Sequence, residues 1–394
     1  MKKIFLYFIT PLIPLSIFAQ RGYEEILKEI SVNNTSLIAL REQIEAEKIG
    51  NKTGIFLPNP EVEFNYLWGS PKEIGKRTDI HISQSFDFPT VYGHRKNIAE
   101  LQNENAELIY KSRLTDILLT ARQTIVEIVY YNALIKEYSI RLENSERIAE
   151  TYRIRLDKGD GNIIEYNKAM LNLTAIQAET AKLKAEQVAL LSELRRLNGG
   201  KEIAIIQDSY NSPMLPADFE EWYASVEAKN PILQYVKGEI VIGKERMKLN
   251  RAMSLPKFST GYISERVVGE TFQGVSLGVS IPLWENKNMR KYAQAQVKAS
   301  EIELDNSKVQ FYNRLKSLFQ KALVLQQNAL KFRQTISDNK NDELLKKALD
   351  SGEISLLNYL QEIGFYYDAM LQVLHAERDY ELALAELYAV ENIF

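Results

Sequence analysis

The chain has 394 residues, with 49 Lys and Arg against 52 Asp and Glu, and no Cys. A net charge of −3 supplies no basic stripe, so nucleic-acid binding is not expected. The lack of Cys excludes disulfides, thiolate metal sites and Cys nucleophiles, and also a lipid attached to an N-terminal Cys.

Residues 1–19 read as a cleaved secretory signal. Lys2 and Lys3 give a positive start, and Ile4 to Ile17 is an apolar run interrupted by Pro11 and Pro14. Ile17-Phe18-Ala19 ends in the small residue that a signal peptidase accepts, which puts the mature start at Gln20. A spanning helix needs about 20 apolar residues, and neither this run nor any later one meets that need.

A first repeat is expected over 20–198. Gly22 to Phe56 reads as one or two helices, with Ile26, Ile30, Leu37, Leu40 and Ile44 on the apolar side, stopped by Leu57-Pro58-Asn59-Pro60. Residues 61–68 alternate Val62, Phe64, Tyr66 and Trp68 with Glu61, Glu63 and Asn65, as a strand does. The turn-rich loop 69–77 leads to a second strand over 78–88, with Ile80, Ile82, Phe86 and Phe88 on one face. From about Ile98 to Leu156 the pattern is helical, with a 4-3 seam at Leu114, Leu118, Ala121, Ile125, Ile128, Asn132, Ile135, Ser139 and Leu142. One helix of that length would reach roughly 90 Å. Lys158-Gly159-Asp160-Gly161-Asn162 breaks it, and a second helix carries Ala169, Leu173, Ile176, Thr180, Leu183, Gln187, Leu190, Leu194 and Leu197 up to Asn198-Gly199-Gly200.

After a linker over 199–217, with Ile203, Ile205 and Ile206, the plan returns over 218–394. Asp218 to Met253 is helical, Leu255-Pro256 answers Leu57-Pro58, and strands are expected at 257–265 and 272–281. The second of these is a strict alternation, with Val275, Leu277, Val279 and Ile281 on one face and Gly274, Ser276, Gly278 and Ser280 on the other. Another seam runs through Leu304, Lys308, Phe311, Leu315, Leu318, Ala322, Leu325, Ala329, Phe332 and Ile336. Ser351-Gly352 answers Lys158-Gly159, and a last helix runs from about Ile354 to Val390. The copies stay 193 to 198 residues apart, so the chain reads as a tandem duplication. The fold class expected is mainly α with a membrane β-barrel part.

Four strands of about ten residues have the length to cross a bilayer when tilted. They cannot close alone, and an open sheet edge in lipid strands backbone groups at several kcal/mol each. Three copies would supply twelve strands, an even number within the usual range for such barrels.

This order resembles the TolC-like outer-membrane efflux family over essentially the whole mature chain. The resemblance is carried by Leu57-Pro58-Asn59-Pro60-Glu61, Phe88-Pro89, Tyr152 to Gly159, Leu255-Pro256, Ile281-Pro282-Leu283-Trp284 and Leu349 to Gly352. It implies a homotrimer in the outer membrane of a Gram-negative bacterium, with a twelve-stranded barrel continued by a helical barrel across the periplasm. The implied partners are outer-membrane lipid, a periplasmic adaptor and an inner-membrane pump of the RND type. Asn59-Pro60-Glu61 and Ser83-Gln84-Ser85-Phe86 look most like the heavy-metal cation branch (cobalt–zinc–cadmium or copper). The implied adaptor contacts are the tips, Lys158, Gly159, Asp160 and Gly161 with Asp350, Ser351 and Gly352. Family members often place acids six and nine positions after the tip Gly, where they narrow the periplasmic mouth. Here those candidate gate positions hold Glu165 after Gly159, but Asn358 and Gln361 after Gly352, so the second repeat departs from the acidic pattern.

Bland readings cover the remaining motifs. Asp157 to Glu165 mimics part of a calcium loop, but with Gly161 at the invariant Gly the ligand positions become Leu156, Lys158 and Asn167. His81, His94 and His375 are scattered without metal-ligand spacing, and no phosphate loop, nucleophile elbow or HExxH occurs, so neither cofactor nor enzymatic activity is expected. The rival to an exit duct is a periplasmic coiled-coil adaptor or structural spacer whose strands form a small soluble domain.

Overall fold

The computed structural model describes residues 22–211, 214–339 and 341–391; the signal segment lies outside them. Of the one or two opening helices expected, the structure has two, α1 (Tyr23–Asn33) and α2 (Thr35–Gly50). Asn34 separates them: its extended backbone (ψ 116°) ends α1, and its side-chain oxygen accepts from the Leu37 amide at 3.0 Å to cap α2. The second repeat solves the same problem identically. There α5 (Phe219–Lys229) and α6 (Pro231–Ala252) meet at Asn230, which caps Leu233 at 3.0 Å, and Pro231 occupies the first helical position.

The strands are β1 (Glu61–Trp68), β2 (Lys76–Phe86), β3 (Lys257–Val267) and β4 (Glu270–Ser280). They form one antiparallel sheet in the order β1-β2-β3-β4, so the two repeats join through β2 and β3. The second strand of each pair starts and ends two or one residues earlier than its alternation suggested. Phe88 has left the sheet to precede α3 (Pro89–Asp157).

Helix α3 has 69 residues and begins at Pro89 rather than near Ile98, giving a length of roughly 100 Å. Its predicted seam is buried from Leu114 to Ile128, but Ser139 is exposed. The buried stripe moves instead to Tyr130, Leu134, Arg141, Ser145, Ile148 and Tyr152. A helix drifts about 20° per heptad against a 3.5-residue repeat, and α3 changes partners on the way. It packs against α1, α2 and α6 as well as α4 (Ile163–Leu197) and α9 (Leu356–Glu391).

In the second repeat the helix equivalent to α3 is interrupted. Helix α7 (Met289–Asp338) stops at Asn339, and α8 (Asp342–Asp350) precedes the tip, a break the seam did not announce. Among the described residues four apolar clusters hold the body, the smallest gathering Tyr130, Leu134 and Leu183. One gathers Ile26, Ile30, Leu37, Ile125 and Leu194, and a second gathers Trp222, Val226, Leu315, Phe319 and Leu387. A third joins the repeats below the tips through Ile148, Tyr152, Ala169, Leu356, Tyr359 and Ile363.

Candidate functional site: the sheet face and the two helical tips

Cross-strand pairing decides which side chains share a face of the sheet. Phe64 lies opposite Ile80, Val62 opposite Ile82, Ile82 opposite Tyr262, and Tyr262 opposite Val275. The apolar positions of all four strands therefore form one band, and on β4 the side chains are almost bare, with Val275 84% and Leu277 83% exposed. The other face carries Glu63, Asp79, His81, Ser259, Gly261 and Ser276, with Arg77 held between Asp79 at 2.9 Å and Glu265 at 3.1 Å. β1 and β4 are the sheet's outer strands, each paired on one side within the chain.

Both tips close with the same backbone motif. At the first, Gly159 N–H bonds Leu156 O at 3.0 Å and Asp160 N–H bonds Arg155 O at 3.0 Å, with Gly159 at φ 78°. At the second, Gly352 N–H bonds Leu349 O at 3.1 Å and Glu353 N–H bonds Ala348 O at 2.9 Å, with Gly352 at φ 77°. A left-handed residue after the last helical turn satisfies orphan carbonyls, and glycine does so without a side-chain clash. Gly161 is required for another reason: a Cβ there would lie 2.8 Å from the Leu156 nitrogen. Asn162 then caps α4 by accepting from the Ile164 amide at 2.8 Å. Lys158 and Asp160 are exposed.

Glu165 is half-buried in the first turn of α4, close enough to Tyr152 that its charge raises the tyrosine's pKa, after the larger effect of burial. Asn358 and Gln361 are exposed on α9, on the side away from buried Leu356, Tyr359 and Ile363, and share that side with Phe365.

Links between the tips escaped the sequence. Arg147 of α3 meets Asp350 at 2.8 Å, and Asn144 donates to the Tyr359 hydroxyl at 2.6 Å, where Tyr359 is only 1% exposed. Arg141 is buried beside them, lying over the rings of Tyr138 at 4.6 Å and Tyr367 at 4.1 Å and donating to the Tyr367 carbonyl. Burial pushes the Tyr367 hydroxyl up to about 12. Apart from Tyr138 on the same helix, these partners lie more than 200 residues apart, so no local pattern signals them.

The histidines are far apart in role. His81 sits 3.5 Å from Ser276, His94 bonds Glu245 at 2.7 Å, and His375 meets the Tyr130 hydroxyl at 3.1 Å. Among the described residues no cluster of three or more His, Asp or Glu is arranged to hold a metal ion. No helix of the described residues is long and apolar enough to cross a membrane.

No model of a known protein family matches the sequence. The alkaline protease secretion protein AprF of Pseudomonas aeruginosa is 22% identical over 327 residues, a stretch spanning 77% of this chain and 66% of that protein's length. Among solved structures, CusC, described for its transmembrane channel formation, superposes with a TM-score of 0.77 at 14% identity over 98% of both chains. The Vibrio cholerae outer-membrane protein VceC gives 0.72 at 12% identity over 93% of this chain and 95% of its own. The Campylobacter jejuni outer-membrane channel CmeC gives 0.70 at 14% identity over 94% and 84%. The duplicated pair of long helical hairpins with its four-stranded sheet thus superposes, nearly end to end, on proteins of one architecture: this chain has the TolC-like outer-membrane channel fold.

Proposed function

We propose that this chain is the outer-membrane exit duct of a tripartite export system. The observation that carries the reading is the four-stranded sheet with one continuous apolar face and outer strands β1 and β4. Such a sheet is stable in lipid only when its edges are paired. In a homotrimer, β4 of each protomer pairs with β1 of the next, giving twelve strands around a lumen lined by the polar face. The helices continue this wall into the periplasm, and the tips at Gly159 and Gly352 meet an adaptor that links the duct to an inner-membrane pump of the RND type. Mechanism here is gating rather than bond chemistry. Adaptor docking opens the mouth to the extent that the adaptor binds the open arrangement more tightly than the closed one.

The resemblance of Asn59-Pro60-Glu61 and Ser83–Phe86 to the heavy-metal branch favours metal cations or other small molecules as cargo. A second cargo reading, secreted polypeptide, is favoured by the likeness to a protease secretion protein. Cargo is tested in a deletion strain: hypersensitivity to divalent metals supports the first reading, and loss of a secreted protein from the medium supports the second.

The duct itself is tested by the native mass of the detergent-extracted particle together with Leu277→Arg. We expect a trimer from the outer-membrane fraction. An arginine on the lipid face costs about 2–4 kcal/mol at mid-depth, so the variant should fail to accumulate there, whereas Glu63→Arg on the polar face should accumulate. A monomer in the soluble periplasm would replace the duct with the coiled-coil spacer.

A further inference from the structure

The chain is acidic overall, yet the ends of α6 and α7 beside the sheet are strongly basic. Residues 244–257 and 283–298 contain nine Lys or Arg against two acids, Glu245 and Glu285. The equivalent stretches of the first repeat, 48–61 and 87–102, contain four against three. The repeat scaffold therefore does not demand this charge.

The fold gathers these basic groups at the base of the sheet. Asn286 donates to the Met253 carbonyl at 2.6 Å, Asn250 donates to the Met289 carbonyl at 3.2 Å, and Lys257 pairs with Glu285 at 3.0 Å, tying the two connections together. Glu245 is turned inward onto His94 and Lys248. Arg246, Arg251, Lys287, Arg290 and Lys291 are exposed, and none takes part in an ion pair among the described residues. An open groove of about 650 Å³ between α6 and α7 is lined by Lys244, Met247, Lys291, Gln294, Lys298 and Glu301. In the connection from β4 to α7, Ile281, Leu283 and Trp284 are exposed, with Trp284 at 78%, and follow the apolar band of β4 along the chain.

We propose that this basic collar is a docking surface for the anionic phospholipid headgroups of the leaflet at the base of the barrel, phosphatidylglycerol being the type. The proposal rests on the barrel reading above. Tryptophan and leucine at the boundary, with cations immediately below, match the apolar-to-anionic step of a leaflet. Each cation near such a surface strengthens attachment about fivefold. The collar would fix the depth and tilt of each protomer, once per repeat pair.

The test uses the full trimer reconstituted in mixed vesicles, in a Trp68→Phe/Trp222→Phe background so that Trp284 is the remaining tryptophan and reports on the collar. Quenching of its fluorescence by brominated phosphatidylglycerol is compared with quenching by brominated phosphatidylcholine. We expect the anionic lipid to be preferred about fivefold or more, and K287Q/R290Q/K291Q to bring the ratio near one while the native mass stays that of a trimer. Equal quenching by both lipids overturns the collar and leaves the barrel standing, as does a preference that the triple variant retains. A triple variant that no longer trimerises assigns these residues to protomer contacts and also overturns it. Quenching by neither lipid removes the barrel reading itself, and the collar with it.

Discussion

Arg147 on α3 holds Asp350, the last residue of α8, at 2.8 Å, so a single ion pair ties the first hairpin to the tip of the second. Its side chains are 36% and 51% exposed, which limits its worth to stability to about 1 kcal/mol or less. On the proposed gating, a weak link at the tips suits a latch better than a brace. Asp350→Asn should leave the melting temperature nearly unchanged and raise the resting conductance of the channel in a planar bilayer. Unaltered conductance would mean that the pair does not restrain the mouth.

The tip glycines give a second prediction. Gly159 and Gly352 stand at φ 78° and 77°, where a proline cannot sit and a β-branched residue is strained by about 1–3 kcal/mol. Gly159→Pro and Gly352→Val should impair export and weaken adaptor binding without lowering the amount of trimer. Normal export in both variants would remove the tips from the docking site.

The two capping asparagines should differ in value. Among the described residues the Asn230 side chain acts only as the cap of α6, whereas Asn34 caps α2 and also donates to the buried Leu197 carbonyl at 2.8 Å. Losing a cap costs about 1 kcal/mol, and an orphaned buried carbonyl adds about 1–3 kcal/mol. Thermal denaturation should therefore show Asn34→Ala well below Asn230→Ala. Equal melting temperatures would show that the Leu197 carbonyl finds another donor.

Glu245 ties α6 to α3. Burial acts most strongly on its carboxyl and pushes the pKa upward, but hydrogen bonds from His94, Lys248 and Asn97 together outweigh it and hold the value at about 2 instead of 4.5. A carboxyl lowered by folding contributes stability that is complete above pH 4.5 and is lost as pH falls through about 2. Wild-type protein should lose stability across that acid window, while Glu245→Gln should start lower at neutral pH and respond less there. Parallel acid profiles would place the proton elsewhere.

His375 adds a gentler dependence. Burial first, and then the neighbouring Arg378, lower its pKa below the ordinary 6.5, while Asp379 opposes them. The folded protein thus disfavours the charged imidazole, so stability falls as pH drops below 6.5, where the unfolded chain gains a proton first. His375→Asn should flatten the melting-temperature profile between about pH 6.5 and 5, where the unfolded histidine titrates. Tyr130, which meets His375 and also lies beside Glu127 and Arg378, should keep its place on α3.

Local periodicity was enough to find the four strands, the helix-breaking tips and the duplication. Alternation in β4, prolines after Leu57 and Leu255, and glycines at 159 and 352 each act within a few residues. The sequence also supplied the face that β1, β2, β3 and β4 share, since every side chain two residues on returns to it. It could not supply what distant segments do to one another. The joining of the repeats through β2 and β3, the shift of the α3 stripe at Tyr130, and the pairing of Arg147 with Asp350 depend on which helices and strands become neighbours. The collar lay between these cases. Its residues were countable in the sequence, but only the tertiary structure turned Glu245 inward and left Arg246, Arg251, Lys287, Arg290 and Lys291 exposed. Charge becomes a surface only after packing has decided which groups neutralise one another.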